Sequence, residues 1–325
     1  MGIHRLTFVL PTPEITVVVP YYNEQESLRY LLDQLAAQTL SPREVILVNS
    51  SSTDGSSALI DEWISSHVTE TVFRNLNAST TTPGGSKTAG VNVATGELLA
   101  FMDCDLTFPT DWLQRQAEVL ASTGADWVSG VCRTRGTTII DRAAIAHTYG
   151  YMNTRPVIPS SLVRRSVFER IGMFKDLRAG YDVEWARASS RAGLRREINH
   201  HVVVEYRGVN FAKDLRRVFL KSIRYARPSV GRDDTVVPYV YILGALGALL
   251  IATLAPLLLI VGAGLYVIGR VAIAWRKSSA VTTFLASPTR VLALIVVGAV
   301  MDFGKLCGFV SGIFIRYVRR RTLVR

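Results

Sequence analysis

Apolar and polar positions alternate in two distinct rhythms along this chain. The first 206 residues switch between short apolar runs and amphipathic stretches. Ile15–Pro20 (ITVVVP) is a short apolar run bounded by Pro and predicts a buried strand. Leu28, Leu31, Leu32 and Leu35 then recur at helical spacing and predict a helix over Glu26–Ala37. Glu44–Val48 predicts a second strand, and Asp54 opens a helix running to about Ser65. Thr71–Phe73 is a third strand, and the polar stretch Asn75–Ser86 (NLNASTTTPGGS) lacks periodicity and predicts a loop. Leu98–Met102 is a fourth strand, Pro109–Ala121 a helix with Pro at its start, and Trp127–Val131 a further strand. Alternation of this kind predicts an α/β domain on a mostly parallel sheet.

Beyond residue 235 the rhythm changes. Val236–Gly269 holds 34 consecutive residues without Asp, Glu, Lys or Arg. As one straight helix that stretch would measure ~51 Å, whereas a bilayer core needs about 30 Å. Pro256 lies near the middle, so two spans, about 237–255 and 256–275, fit better than one. A third apolar helix, about 290–315, is interrupted by Asp302 and Lys305 and thinned by Gly298, Gly304, Gly308 and Gly312. It is expected to lie at the interface or dip back, which keeps nearly all basic residues on one side. Between the two regions, Phe211–Ala226 places Phe211, Leu215, Val218, Phe219, Ser222 and Ala226 on one face with Lys and Arg around the rest. That composition suits a helix lying among anionic headgroups. The expected organisation is a globular domain over 1–207, a basic linker over 208–235 and a membrane domain over 236–325.

Charge sharpens this division. The chain of 325 residues carries a net charge of +11, which on its own would suggest nucleic acid. Residues 1–206, however, hold 19 Lys/Arg against 22 Asp/Glu, while residues 236–325 hold 10 against 1. The positive excess flanks the apolar tail, as in a membrane-facing girdle, and a nucleic-acid partner is excluded. Three scattered cysteines, Cys104, Cys132 and Cys307, form neither a disulfide framework nor a CxxC metal site. The opening MGIHRLTFVLPTPE lacks a secretory pattern, so the globular domain is expected in the cytoplasm on a multi-pass protein of the cell membrane.

In parallel α/β sheets, ligands bind beyond the carboxyl ends of the strands. Those ends carry Pro20-Tyr21-Tyr22-Asn23-Glu24, Asn49-Ser50-Ser51-Ser52-Thr53-Asp54-Gly55-Ser56 and Asp103-Cys104-Asp105. Neither GxGxxG nor GxxxxGK[ST] follows a strand, which weakens dinucleotide and P-loop readings. Asp103 and Asp105 repel each other unless a cation compensates, and oxygen ligands suit Mg²⁺ or Mn²⁺; a solvated loop pair is the plain alternative. His200 and His201, adjacent in a strand, point to opposite faces and do not form a metal pair. Cys104 is expected to pack inward. Tyr149, Tyr151 and Trp185 are either an acceptor platform or core.

These strand-end motifs, together with Ala94-Thr95-Gly96-Glu97, Ile171-Gly172-Met173-Phe174 and Gly180-Tyr181-Asp182-Val183-Glu184, resemble family 2 glycosyltransferases over roughly residues 14–207. The resemblance implies a GT-A fold and an inverting transfer from a nucleotide-diphosphate sugar with Mg²⁺ or Mn²⁺. It implies nucleotide binding by Pro20, Tyr22, Asn23, Glu24, Asn49, Lys87 and Asp103, metal binding by the DxD pair Asp103 and Asp105, and a general base at Asp182. The sequence departs from the family pattern at Asn49 (usually Asp), Thr88 (usually Asn) and Tyr181 (usually Glu). The plain alternative for Asp182 is capping of a helix over Val183–Arg191. No QxxRW motif of processive synthases is present, which points to transfer of one sugar to a lipid-linked or surface-glycan acceptor. Two alternatives stand beside it: a polyisoprenyl-phosphate glycosyltransferase, and a catalytically inactive family member acting as a membrane scaffold.

Overall fold

A computed structural model describes residues 14–206, 214–230 and 236–322. The expectations placed on residues 1–13 and on Phe211 and Lys213 lie outside the described residues. The chain divides into two compact units, one of residues up to Arg133 with Arg155–Arg207, the other of Thr134–Thr154 with the residues after 207.

The chain runs β1 (Ile15–Tyr21), α1 (Gln25–Ala36), β2 (Glu44–Asn49), α2 (Ser56–Ser66), β3 (Val72–Asn77), α3 (Pro83–Val93), β4 (Leu98–Phe101), β5 (Leu106–Thr107), α4 (Trp112–Thr123) and β6 (Trp127–Arg133). It continues through α5 (Ile139–Thr148), β7 (Thr154–Pro156), β8 (Leu162–Arg164), α6 (Arg165–Ile171), α7 (Tyr181–Arg191) and β9 (Arg196–Tyr206). The C-terminal elements are α8 (Leu215–Ala226), α9 (Val237–Leu254), α10 (Leu257–Lys277), α11 (Val281–Leu285) and α12 (Pro288–Thr322).

The first unit is built on a mixed sheet of order β3-β2-β1-β4-β8-β6-β9-β5, with β7 beside β6. β3, β2, β1 and β4 are mutually parallel, and β8 is antiparallel to both of its neighbours. All six residues of β2 are buried, as expected for a strand covered on both faces. On one face α1 buries Leu28, Leu31, Leu32 and Leu35 with Trp63 and Trp112; on the other, Phe101, Phe168, Phe174 and Trp185 form an aromatic core.

The loop expected over Asn75–Ser86 is shortened at both ends, since β3 runs on to Asn77 and α3 begins at Pro83. Thr82 caps it, its hydroxyl accepting from Gly85 N at 3.1 Å, and Pro83 supplies a favourable first residue. Its buried face is Gly84, Ser86, Lys87, Gly90 and Val91, so it shows no apolar period. A Cβ on Gly90 would stand 2.4 Å from Val18 of β1: the helix needs glycine there to approach the sheet.

In the second unit, α9 and α10 are separated at Ala255 and Pro256, as the sequence predicts, and both are long and apolar enough to cross a membrane. The third apolar segment is a single helix of 35 residues, longer than the 290–315 expected, and Pro288–Val318 also meets the length and composition of a span. Asp302 and Lys305 face protein. Tyr241 and Tyr266 donate to the two oxygens of Asp302 at 2.7 and 2.8 Å, with Arg270 and Lys305 at 3.4 and 3.3 Å. The glycines of α12 form a seam: a Cβ on Gly304 or Gly308 would meet Ser222 or Ala226 of α8 at 2.8 Å, and one on Gly312 would meet the Arg227 carbonyl at 2.6 Å. Small residues at such a seam let two helix backbones approach closely.

Candidate active site

The loops after β1 and β2 are laced together. Asn23 adopts a left-handed backbone (φ 54°), held by its side-chain oxygen accepting from Thr53 N at 2.8 Å and its backbone N–H donating to Ser52 Oγ at 3.1 Å. Glu24 N donates to Ser56 Oγ at 2.9 Å, and Asp54 accepts from Gln25 N and Ser56 N. Pro20 is the last residue but one of β1, its carbonyl facing the Cys104 thiol at 3.5 Å, and Tyr22, just past the strand, is 49% exposed. Asn49 ends β2 buried. It accepts from Ser52 N at 2.8 Å and donates to Asn77 at 3.0 Å, so this amide braces the loop from within.

Below the crevice, α3 carries Lys87, whose side chain is 0% exposed and whose Nζ meets Asp103 Oδ1 at 2.7 Å. The same ammonium lies 5.5 Å from the ring centre of Tyr181. Burial alone would lower the Lys87 pKa, but Asp103 and Tyr181 hold it above the ordinary lysine value. Burial pushes Tyr181 up to about 12, opposed by Lys87 and reinforced by Asp103 and Asp182. Tyr181 thus feels both the DxD segment and the head of α7. Asp103 and Asp105 are partly exposed, while Met102, Cys104 and Leu106 are buried, the alternation of a strand-like segment presenting both carboxylates on one face. Burial raises Glu24, and the charges of Asp103 and Asp54 push the same way. Cys104 is buried as expected and raised by burial and by Glu24, Asp105 and Asp103. Glu24, Asp54, Asp103 and Asp105 thus lie close enough to act on one another's surroundings.

Among the described residues no group of three or more His, Cys, Asp or Glu is assembled for a metal. Asp103 and Asp105 offer two carboxylates, the usual protein share for Mg²⁺, whose other positions go to water and phosphate oxygens. Two carboxylate side chains are a donor set of the right chemistry for such an ion.

Asp182 lies in the first turn of α7, after Gly180 in the left-handed region (φ 80°), and so is not the N-cap. It borders a groove of about 500 Å³ with Trp127, Ile158, Arg187, Arg191 and Arg196. Arg196 is held there by Ser129 at 2.8 Å and lies over the Trp127 ring. Trp185 is core, and Tyr149 and Tyr151 belong to the second unit, where Tyr151 packs edge-on against Phe284. His200 and His201 are both exposed on β9.

Two supporting groups carry no obvious sequence signal of function. Glu44, buried on β2, accepts from Thr16 Oγ1 at 2.7 Å and from Thr95 N at 2.6 Å, tying β1 and β2 to the turn before β4. Asp176 accepts from Thr80 at 2.8 Å and from Thr82, and Thr88 donates to the Phe174 carbonyl at 2.9 Å. These bonds fasten α3, and with it Lys87, to the loop leading into α7. The Thr82-Pro83 pair was the readable sign of this helix start.

A family model described as Glycosyl transferase family 2 matches residues 16–203. Glycosyltransferase AglE of Haloferax volcanii is 26% identical over 223 residues, 64% of this chain and 71% of that protein. The undecaprenyl-phosphate 4-deoxy-4-formamido-L-arabinose transferase of Serratia proteamaculans is 33% identical over 134 residues, 39% of either chain. Among solved structures, the mannosyltransferase PcManGT from Pyrobaculum calidifontis, in complex with GDP-Man and Mn²⁺, aligns with a TM-score of 0.52 at 21% identity, covering 88% of this chain and 86% of that one. That likeness is one of fold, and it agrees with the GT-A expectation.

Proposed function

This chain belongs to glycosyl transferase family 2, and we propose that it is a membrane-anchored, inverting transferase moving one sugar from a nucleotide-diphosphate sugar to a lipid-linked or surface-glycan acceptor. The observation that carries this reading is the pairing of buried Lys87 with Asp103 of the DxD segment, at the strand ends where the crevice opens. Tyr22 lies against the nucleotide base, and Asn23, Glu24 and Asn49 shape the loops that hold it. Asp103 and Asp105 would hold Mg²⁺ or Mn²⁺, which when bound would neutralise charge on the leaving diphosphate. Lys87 adds a fixed positive charge on the same side. Asp182 accepts the proton of the acceptor hydroxyl from the face opposite the leaving group.

A second reading has its own support. The three arginines bordering the Asp182 groove suit an acceptor that is itself a phosphate, such as a polyisoprenyl phosphate, and relatives are named for transfer to undecaprenyl phosphate. A phosphate acceptor needs little help from a base. Asp182→Asn separates the two: a hydroxyl acceptor predicts a loss of about 10²–10⁴-fold in kcat, a phosphate acceptor near-normal transfer. Absence of both transfer and sugar-nucleotide hydrolysis with Mn²⁺ would leave the inactive membrane scaffold. On this reading the catalytic unit faces the cytoplasm, α8 meets anionic lipids, and the hairpin α9–α10 crosses the bilayer. Labelling of Thr322→Cys by an impermeant reagent from outside intact cells would overturn this orientation of the tail.

A further inference from the structure

The groove of about 500 Å³ beside Asp182 lies wholly within the first unit, and its two ends differ. One face of α7 lines it from Asp182 in the first turn to Arg191 at the last residue of the helix. β6 and β9 begin at the far end, where Trp127 pairs with Arg196. Trp127 Nε1 donates to Ser189 Oγ of α7 at 2.8 Å, which fixes the distance between the ends. Ser189 follows Asp182 by about two helical turns, roughly 10 Å along the axis. Asp182 is the only carboxylate among the described lining residues, and Arg191 and Arg196 stand at the other end.

Arg196 is half-buried and held in one orientation. Its guanidinium carbon lies 4.5 Å from the centre of the Trp127 ring, and Nε and Nη2 donate to Ser129 Oγ at 3.2 and 2.8 Å. Trp127 and Ser129 are themselves buried, so the core fixes the plane of the fork. Among the described residues Arg196 pairs with no carboxylate, and its Nη1 makes no hydrogen bond. Burial lowers its pKa, and no neighbouring carboxylate offsets that. A stacked, pinned guanidinium with a free edge is already arranged for phosphate oxygens and loses little side-chain freedom on binding them. Ile158 and Ala186 add an apolar wall beside it. We propose that Arg196, with Arg191 beside it, anchors a phosphoester group that the acceptor carries roughly 10 Å from its reacting hydroxyl, the intervening part lying along α7. This rests on the reading that places the acceptor hydroxyl at Asp182. It makes the acceptor a hydroxyl-bearing unit already joined to a phosphoester, and Arg196 a binding residue with no part in proton transfer.

The test is calorimetric titration of the full chain, in neutral detergent with EDTA and no donor, using citronellyl diphosphate as the probe. Wild type is expected to bind one equivalent, more tightly than inorganic pyrophosphate, and to ignore citronellol. Arg196→Gln should weaken binding about tenfold, the effect of losing a charged hydrogen-bond donor. Arg196→Lys, which keeps the charge without the fork, should fall between the two. Arg191→Gln should cost about threefold because its side chain is exposed, and Arg29→Gln, on α1 and outside the groove, nothing. Thermal unfolding confirms that each variant is folded. No binding by wild type, or equal losses in Arg196→Gln and Arg29→Gln, would refute the site. Equal affinity for pyrophosphate would make it a site for a free anion and overturn the acceptor as its ligand. Asp182→Asn tests the distance: binding tightened fivefold or more would put the phosphate beside that carboxylate and overturn the remote anchor. No arm involves donor, metal or turnover, so failure of this site and failure of the sugar-transfer reading are told apart.

Discussion

The catalytic unit and the membrane unit each set a partly buried carboxylate against a cation, yet the charged groups gathered around the two pairs differ in sign. In the first, Lys87 pairs with Asp103 while Glu24, Asp54 and Asp105 crowd the same crevice. In the second, Arg270 and Lys305 converge on Asp302 alone among the described carboxylates. Buried ion pairs are weak stabilisers, since desolvation offsets much of their attraction. The informative quantity is the company each pair keeps. Carboxylates crowded at the mouth of a crevice suit a divalent cation carrying phosphate; two cations on one carboxylate tie α10 and α12 together.

The largest effect that sharpens this contrast is on the DxD pair. Asp103→Ala or Asp105→Ala should cost about 10³-fold or more in transfer with little change in unfolding temperature, because both side chains are partly exposed. Full activity in EDTA would break the assignment of a cation to the crevice. Lys87→Met comes next, with a loss of about 10²–10³-fold in kcat and on the order of 2 kcal/mol in stability. That stability figure lies below the usual cost of breaking a buried pair because Asp103 is 27% exposed. Adding Asp103→Asn to Lys87→Met should restore stability without restoring activity. Restoration of both would show that the pair is only structural.

The smallest effect probes the membrane unit by pH. His147 is buried on α5, its Nε2 donating to the Leu294 carbonyl at 2.7 Å while Nδ1 is buried with no hydrogen-bond partner. Burial, with Arg270 of α10 next in size and Lys305 of α12 acting the same way, lowers its pKa to about 4; Asp302 opposes them, and Lys277 contacts its carbonyl. The folded value lies below the unfolded one, so the neutral ring contributes stability above about pH 6.5, and this is lost as pH falls toward 4. At pH 5 the loss should be on the order of 2 kcal/mol. Thermal unfolding at pH 7 and 5 should show that difference in wild type and lose it in His147→Gln. An unchanged difference in the variant would move the effect to other groups.

Much of this could be read from residues. The strands β1, β2 and β4 and helix α1 follow from uninterrupted apolar runs and a leucine stripe, and the break between α9 and α10 follows from Pro256. Beyond its Thr82-Pro83 start, α3 is illegible in the sequence because its buried face consists mostly of glycine, serine and a lysine, whose burial depends on Asp103 and Tyr181 being assembled around it. Asn49 was legible as a strand-end residue, but its bonds to Ser52 and Asn77 could not be inferred without the backbone of two loops. The α12 glycines looked like interruptions of a span, because a close-packed seam looks like poor hydropathy until its partner helix is known.

The segment Thr134–Thr154 leaves the first unit after β6 and returns to it before β8, and its helix α5 packs with α10 and α12. Its Nε2 contact at His147 joins residues 147 positions apart. During synthesis at about 5–20 residues per second, α5 emerges many seconds before the helix that covers it. Ala143, Ala144 and Ala146 then stay without their native cover until the last part of the chain is made. A shortened chain ending near residue 207 would retain a helix whose partners no longer exist. Portability of the enzyme into a tail-less form thus depends on redesigning α5, not merely on where the chain is cut.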